Sequence, residues 1–280
     1  MNKLTVGGIH IRIHLLFWAV IGLSLATGYF IETITLFGIV IIHEIGHIAV
    51  AKELGWQVTE VQLLPFGGVA TVEENGMAEP LDEIVVALAG PFMNVVMLFA
   101  SLVFWWLGFW TVEWTQFFMK SNMLIAAFNL LPIWPLDGGR IVQAVLSYGL
   151  PYRSAVVISL GLSCFLASIM IGLGVFHLNV NLLAVALYLL FISAQALFRF
   201  PYTFIRFLMK KWLHCTELTE IRPVRVPPHM TLMEAALRLK KGQYHLFYVQ
   251  GSHGGFLPEE EVLHALLYEQ KQHTPIGQLL

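Results

Sequence analysis

His43, Glu44 and His47 stand in the order His-Glu-Ile-Gly-His inside the apolar run 36–51. On a helix, residues four apart share a face, so both imidazoles can reach one metal ion. The glutamate beside the first histidine can then take a proton from a metal-bound water. An uncompensated charge at mid-membrane costs about 2.5–3.5 kcal/mol on the insertion scale, so ionisable groups in such a run mark a site.

Two histidines leave a catalytic zinc one protein ligand short, because such sites usually hold three plus a water. Of the 18 acidic residues, only Glu44 and Asp137 fall within apolar runs; the others lie in loops, at span ends or in the tail. Asp137 closes the string Asn129-Leu130-Leu131-Pro132-Ile133-Trp134-Pro135-Leu136-Asp137, followed by Gly138 and Gly139. Two prolines and paired glycines break a helix there, and the freed backbone groups need partners or a wet cavity. Asp137 is the candidate third ligand to one Zn2+ per chain, and Asn129 the candidate amide that orients substrate. The other reading of Asp137 is a turn residue at a helix end.

These groups need a membrane scaffold. The chain is 57% hydrophobic and 12% charged, with a mean hydropathy of +0.72. That composition fits a multi-pass membrane protein. A net charge of −2 and the lack of a long basic run argue against nucleic acid. Cys164 and Cys215 are too few for a disulfide framework.

Stretches of about 20 apolar residues predict six spans, at 13–31, 33–52, 83–108, 119–147, 155–176 and 180–198. The first, with no small-residue cleavage site after it, reads as a retained anchor. Six spans put Lys3, Arg12, Lys52, Arg140, Arg153, Arg199, Arg206, Lys210 and Lys211 on one side and only Lys120 on the other. The positive-inside rule then places both termini in the cytoplasm.

Between the second and third spans, two β-prone stretches flank Pro65-Phe66-Gly67-Gly68 and predict a hairpin. Its outer strand could hold an extended substrate at Phe66, Gly67 and Gly68 by strand addition. A hairpin that merely closes the loop is the alternative. Residues 201–220 form a basic juxtamembrane linker, and 221–280 read as a small strand-helix-strand-strand-helix domain with Thr231 as a helix cap. So small a tail needs a partner surface for stability. The fold class is an all-α polytopic membrane domain (1–200) with a small β-hairpin insertion, plus a small α/β cytosolic tail.

The sequence resembles the site-2 proteases, the intramembrane zinc metalloproteases. His43-Glu44-x-x-His47, and Asn129 with Pro132, Asp137 and Gly138, match the two signatures of that family, and Ala89-Gly90-Pro91 with Asn94 looks like its third-span pattern. The resemblance implies His43, His47 and Asp137 as zinc ligands, Glu44 as base, and Asn129 beside substrate or oxyanion. The Leu63-to-Gly68 hairpin and the tail narrow it to the sporulation branch. There, a protease held in check by inhibitory membrane proteins removes the pro-sequence of a sigma factor. The resemblance thus implies a membrane-associated pro-sigma substrate and residence in the mother-cell (outer forespore) membrane.

The tail resembles one CBS motif, a type that often binds adenine nucleotides such as ATP, with Glu259, Glu260 and Glu261 as competing contacts. Such motifs pair, which implies a homo-oligomer; a docking module without ligand is the other reading. His14 could face the site or be a packing residue.

Two rivals remain for the whole chain. A transporter would also use buried acids and a broken helix, but predicts inverted repeats. A non-catalytic scaffold would be expected to have lost Glu44 or a ligand.

Overall fold

The structure is a computed structural model that describes residues 4–6, 9–13, 15–64, 67–73, 79–215, 220–250 and 254–280. The elements run β1 (Leu4–Val6), β2 (Ile9–Ile13), α1 (Leu15–Thr27), α2 (Phe30–Glu53), β3 (Gln57–Leu64) and β4 (Gly67–Glu73). Then follow α3 (Pro80–Trp106), α4 (Val112–Asn129), α5 (Asp137–Gly149), α6 (Tyr152–Phe176) and α7 (Val180–Leu213). The tail holds β5 (Ile221–Val226), α8 (Leu232–Ala236), β6 (Tyr244–Val249), β7 (Gly255–Pro258) and α9 (Glu259–Leu267).

Among the described residues, four helices, α2, α3, α6 and α7, are long and apolar enough to cross a membrane. Two of the six expected stretches are not single long helices. The stretch 13–31 yields a strand ending at Ile13 and a 13-residue helix that stops before Gly28, whose φ is +83°. A helix of that length extends about 20 Å, short of a hydrocarbon core of about 30 Å. The stretch 119–147 is two helices, because Pro132 and Pro135 interrupt the helical ladder between Asn129 and Asp137. The predicted hairpin is also part of something larger. Strands β1 to β4 form one sheet in sequence order, with β2 parallel to β3 and the other neighbours antiparallel.

Contacts divide the chain into two units. The first comprises the described residues of 1–75, 82–131 and 136–138; the second, those of 76–81, 132–135 and 139–280. In the first unit, Gly46 lets α2 lie close against α3, since a Cβ there would overlap Met93 and the Ala89 carbonyl. Small residues at such crossings allow helix backbones to approach in a membrane.

In the second unit, α6 packs on α7, and Ala155, Ser159, Ser163, Ala167, Ala186 and Ser193 of these two helices are buried. The order β5-α8-β6-β7-α9 matches the expected tail. Its sheet runs β5-β6-β7, with β5 parallel and β7 antiparallel to β6. Thr231 caps α8 in a reciprocal capping box with Glu234. The surface that so small a tail requires is supplied by this chain. Phe204, Phe207 and Leu208 of α7 share one buried apolar cluster with Val226, Leu232, Phe247, Leu257 and Leu263.

Candidate metal centre

Helix α2 carries His43 and His47 one turn apart, and their Nε2 atoms lie 3.2 Å from each other. Asp137, at the first position of α5, brings Oδ2 to 3.1 Å from His43 Nε2 and 3.3 Å from His47 Nε2. A tetrahedral ion bonded at 2.0–2.1 Å holds its ligand atoms about 3.3–3.4 Å apart, so these three fit zinc. They also form a His-His-Asp group suited to a metal ion among the described residues.

Each imidazole is aimed by its other nitrogen. His47 Nδ1 donates to the Val86 carbonyl of α3 at 2.7 Å, leaving the lone pair on Nε2 for the centre. His43 Nδ1 lies 2.6 Å from Asn94 Oδ1, also on α3. Holding the outer nitrogen fixes ring orientation and tautomer, a common arrangement behind metal-binding histidines. Two bare nitrogens and a carboxylate converging within hydrogen-bond distance repel one another unless a cation lies between them. The donor set therefore asks for a metal.

Gly90 of α3 makes room for it. A Cβ on Gly90 would overlap the Nε2 atoms of both His47 and His43, the edge of the space where the donors meet. Gly138 permits a second close approach. A Cβ there would overlap the carbonyls of Leu130 and Leu131, so only glycine lets the start of α5 press against the end of α4. That contact brings Asp137 close to Asn129, whose Nδ2 lies 3.3 Å from His43 Nε2. His43, His47, Asp137 and Asn129 thus gather at one point.

Glu44 follows His43 on α2 and is half-buried. Gly67 and Gly68 open β4, opposite Leu64 and Leu63 of β3, and take no part in the donor cluster. Phe66 and His14 lie outside the described residues. The roles of Gly90 and Asn94 were not legible in the pattern that contains them, and Asn122 carried no expectation. A buried amide in an apolar helix was the available signal for both asparagines.

The broken segment before α5 is held within the second unit. The Trp134 amide donates to Ser163 Oγ at 2.9 Å, and Ser193 Oγ donates to the Trp134 carbonyl at 2.8 Å. These side chains of α6 and α7 satisfy backbone groups that the prolines leave without helical partners.

Comparison with known proteins agrees with this geometry. The sequence model of peptidase family M50 matches residues 31–113 and 107–172. The chain is 32% identical over 292 residues to stage IV sporulation protein FB of Bacillus subtilis (strain 168), covering 100% of this chain and 99% of that protein. It is 30% identical over 208 residues to a zinc metalloprotease of Methanocaldococcus jannaschii, spanning 67% of this chain and 58% of that one. The solved structure of the site-2 protease from Methanocaldococcus jannaschii matches 70% of this chain and 94% of its own, with 31% identity and a TM-score of 0.57. The chain belongs to peptidase family M50, and is an integral multi-pass membrane protein and zinc metalloprotease of the site-2 type.

Proposed function

We propose that the protein cleaves the pro-sequence from a membrane-associated sigma factor, with His43, His47 and Asp137 holding zinc and Glu44 acting as base. The convergence of three ligand atoms at 3.1–3.3 Å is the observation that carries the site. Similarity along the whole chain to a stage IV sporulation protein supports the substrate. Bound there, zinc would supply Lewis acidity, acidifying a water and polarising the scissile carbonyl. The carboxylate of Glu44 accepts the proton of the attacking water and returns it to the leaving amine. The amide Nδ2–H of Asn129 donates to the carbonyl oxygen as negative charge develops on it. His43, His47 and Asp137 hold the ion, so none of them is free to act as base.

A helical substrate hides its carbonyls in its own hydrogen bonds and must become extended before attack. The outer edge of β4 faces no further strand among the described residues, which favours strand addition at Gly67 and Gly68; Phe66 precedes them in the sequence and belongs to the same proposal. The Lys and Arg bias supports both termini in the cytoplasm, and the pairing of β2 with β3 keeps the hairpin on the N-terminal side. Inhibitory membrane proteins and the mother-cell membrane belong to the same reading.

For the CBS-like tail, 221–280, we favour a docking role over ATP binding or homo-oligomer pairing. Glu259, one of the acids considered for a nucleotide contact, is fully buried and engaged by Lys211 and His245. The transporter and scaffold alternatives are disfavoured by the family assignment and the intact His-Glu-x-x-His with Asp137.

The test is co-expression of the full chain with a candidate pro-sigma factor, scored by a size shift, alongside metal analysis of the purified protein. Glu44→Gln should abolish the shift and keep the zinc. Cleavage that survives Glu44→Gln would sink the mechanism.

A further inference from the structure

A line of polar groups leads away from the metal centre into the interior of the first unit. Asn122, on α4 and fully buried, donates from Nδ2 to the Phe118 carbonyl at 2.9 Å. Its Oδ1 accepts from Nδ2 of Asn94 at 3.1 Å, and Asn94, equally buried, meets His43 Nδ1 with Oδ1 at 2.6 Å. An amide side chain has one donating and one accepting end, whereas a carbonyl only accepts. The Phe118 carbonyl therefore sets which way Asn122 faces. Asn122 in turn obliges Asn94 to present its NH2 group inward and its oxygen to His43. His43 must then carry its proton on Nδ1, leaving the lone pair on Nε2, where Asp137 and His47 converge. Asn129 Nδ2, 3.3 Å from that same nitrogen, is placed to donate to it, which agrees with a bare Nε2.

We propose that Asn122 is a positioning residue for the metal centre, acting through Asn94 to lock His43 in the tautomer that can ligate. This rests on His43 being a metal ligand, as argued above. His47 needs no such relay, because the Val86 carbonyl that receives its Nδ1–H can only accept. His43 faces an amide that could turn either way, and only the Asn122 contact gives it a direction. With Asn122 removed, Asn94 can rotate its NH2 group toward Nδ1. That arrangement selects the Nε2–H tautomer, which cannot bind metal. Reversing either amide with Asn122 in place would set like ends against each other in the interior, at the cost of unsatisfied polar groups.

The probe is Co2+ alone, titrated into the purified, metal-stripped full chain in detergent and followed by its d–d absorption. Partners behind a ligand are typically worth 10–100-fold in metal affinity, so Asn122→Ala should weaken binding about 10-fold and Asn94→Ala at least as much. The double variant should match Asn94→Ala, because Asn122 acts only through Asn94. Ser121→Ala, a neighbouring buried polar residue on the same helix, should leave affinity unchanged.

Asn94→Asp supplies a group that only accepts and needs no direction from Asn122. It should hold affinity within about threefold of the wild type, and adding Asn122→Ala to it should change nothing. A chain misfolded by Asn122→Ala would not be rescued in this way. Unchanged affinity in Asn122→Ala, additive losses in the double variant, or no rescue by Asn94→Asp would each overturn the relay. If the wild-type chain itself takes up no cobalt, the metal-centre reading fails and the relay falls with it.

Discussion

Lys211 and Glu259 form a fully buried ion pair, Nζ to Oε1 at 3.1 Å, joining the last turn of α7 to the first residue of α9. Both partners have further contacts. Lys211 Nζ donates to the Gln243 carbonyl at 2.6 Å, and Glu259 Oε2 accepts from the His245 amide at 2.8 Å. Removing one member of a buried pair strands the other's charge, at a cost of about 3–5 kcal/mol. Glu259→Gln should therefore loosen the tail from α7, read as faster limited proteolysis of 221–280 in detergent. Glu269→Gln, at the exposed pair with Lys271, should leave proteolysis unchanged.

Acid should have a related effect through His245. Burial holds its pKa below the ordinary 6.5, Lys211 and Arg222 push the same way, and Glu259 opposes them. The neutral ring is fully used, with Nδ1 facing Glu259 at 3.0 Å and Nε2 accepting from the Lys240 amide at 3.2 Å. Protonating Nε2 sets two donors head to head. A folded pKa below the unfolded one means the stability is complete above about pH 6.5 and is lost as the pH falls through the folded value. The unfolding temperature of the tail should therefore drop between pH 7.5 and 5.5, and His245→Asn should abolish that slope. A slope that persists in His245→Asn would place the titration on another group.

A third expectation concerns Lys240, whose Nζ donates to the carbonyls of Tyr148 and Gly149 at 3.1 and 2.6 Å. These are the last residues of α5, where helical carbonyls lack partners and a cation is favourable. Lys240→Met should cost about 1–2 kcal/mol, on the scale of a charged hydrogen bond at a helix end. Thermal unfolding of Lys240→Met against Lys240→Arg checks this, since arginine keeps the charge and the donors.

The reach of the sequence follows from how local each signal is. His43 and His47 lie one helical turn apart, so spacing alone put them on one face. Asp137 could be singled out because a carboxylate between two prolines and two glycines has few uses in a membrane. The N-terminal strands left a signal that the apolar average hid, for Ile9, Ile11 and Ile13 alternate with His10 and Arg12 in the period of a strand. The break between Asn129 and Asp137 lay in the prolines, yet a hydropathy window runs straight across it. Asn94 belongs to another class. Its partner His43 is 51 residues away, and only the packing of α2 on α3 shows what that amide does.

The sharpest local prediction concerns Gly90, because the same change can be made where it should be harmless. Alanine at Gly90 would put a methyl group against Nε2 of both His43 and His47, backed by the α3 helix and unable to turn aside. The chain would fold, since alanine favours helix over glycine by about 1 kcal/mol. It should bind no zinc and lose proteolysis. Gly161→Ala, in α6 with nothing within 4 Å of the added carbon, should keep full metal content and activity and be as stable or more so. Metal analysis and far-UV circular dichroism of the two variants side by side make the comparison. Zinc retained at one per chain in Gly90→Ala would mean that the ion lies elsewhere than where His43, His47 and Asp137 meet.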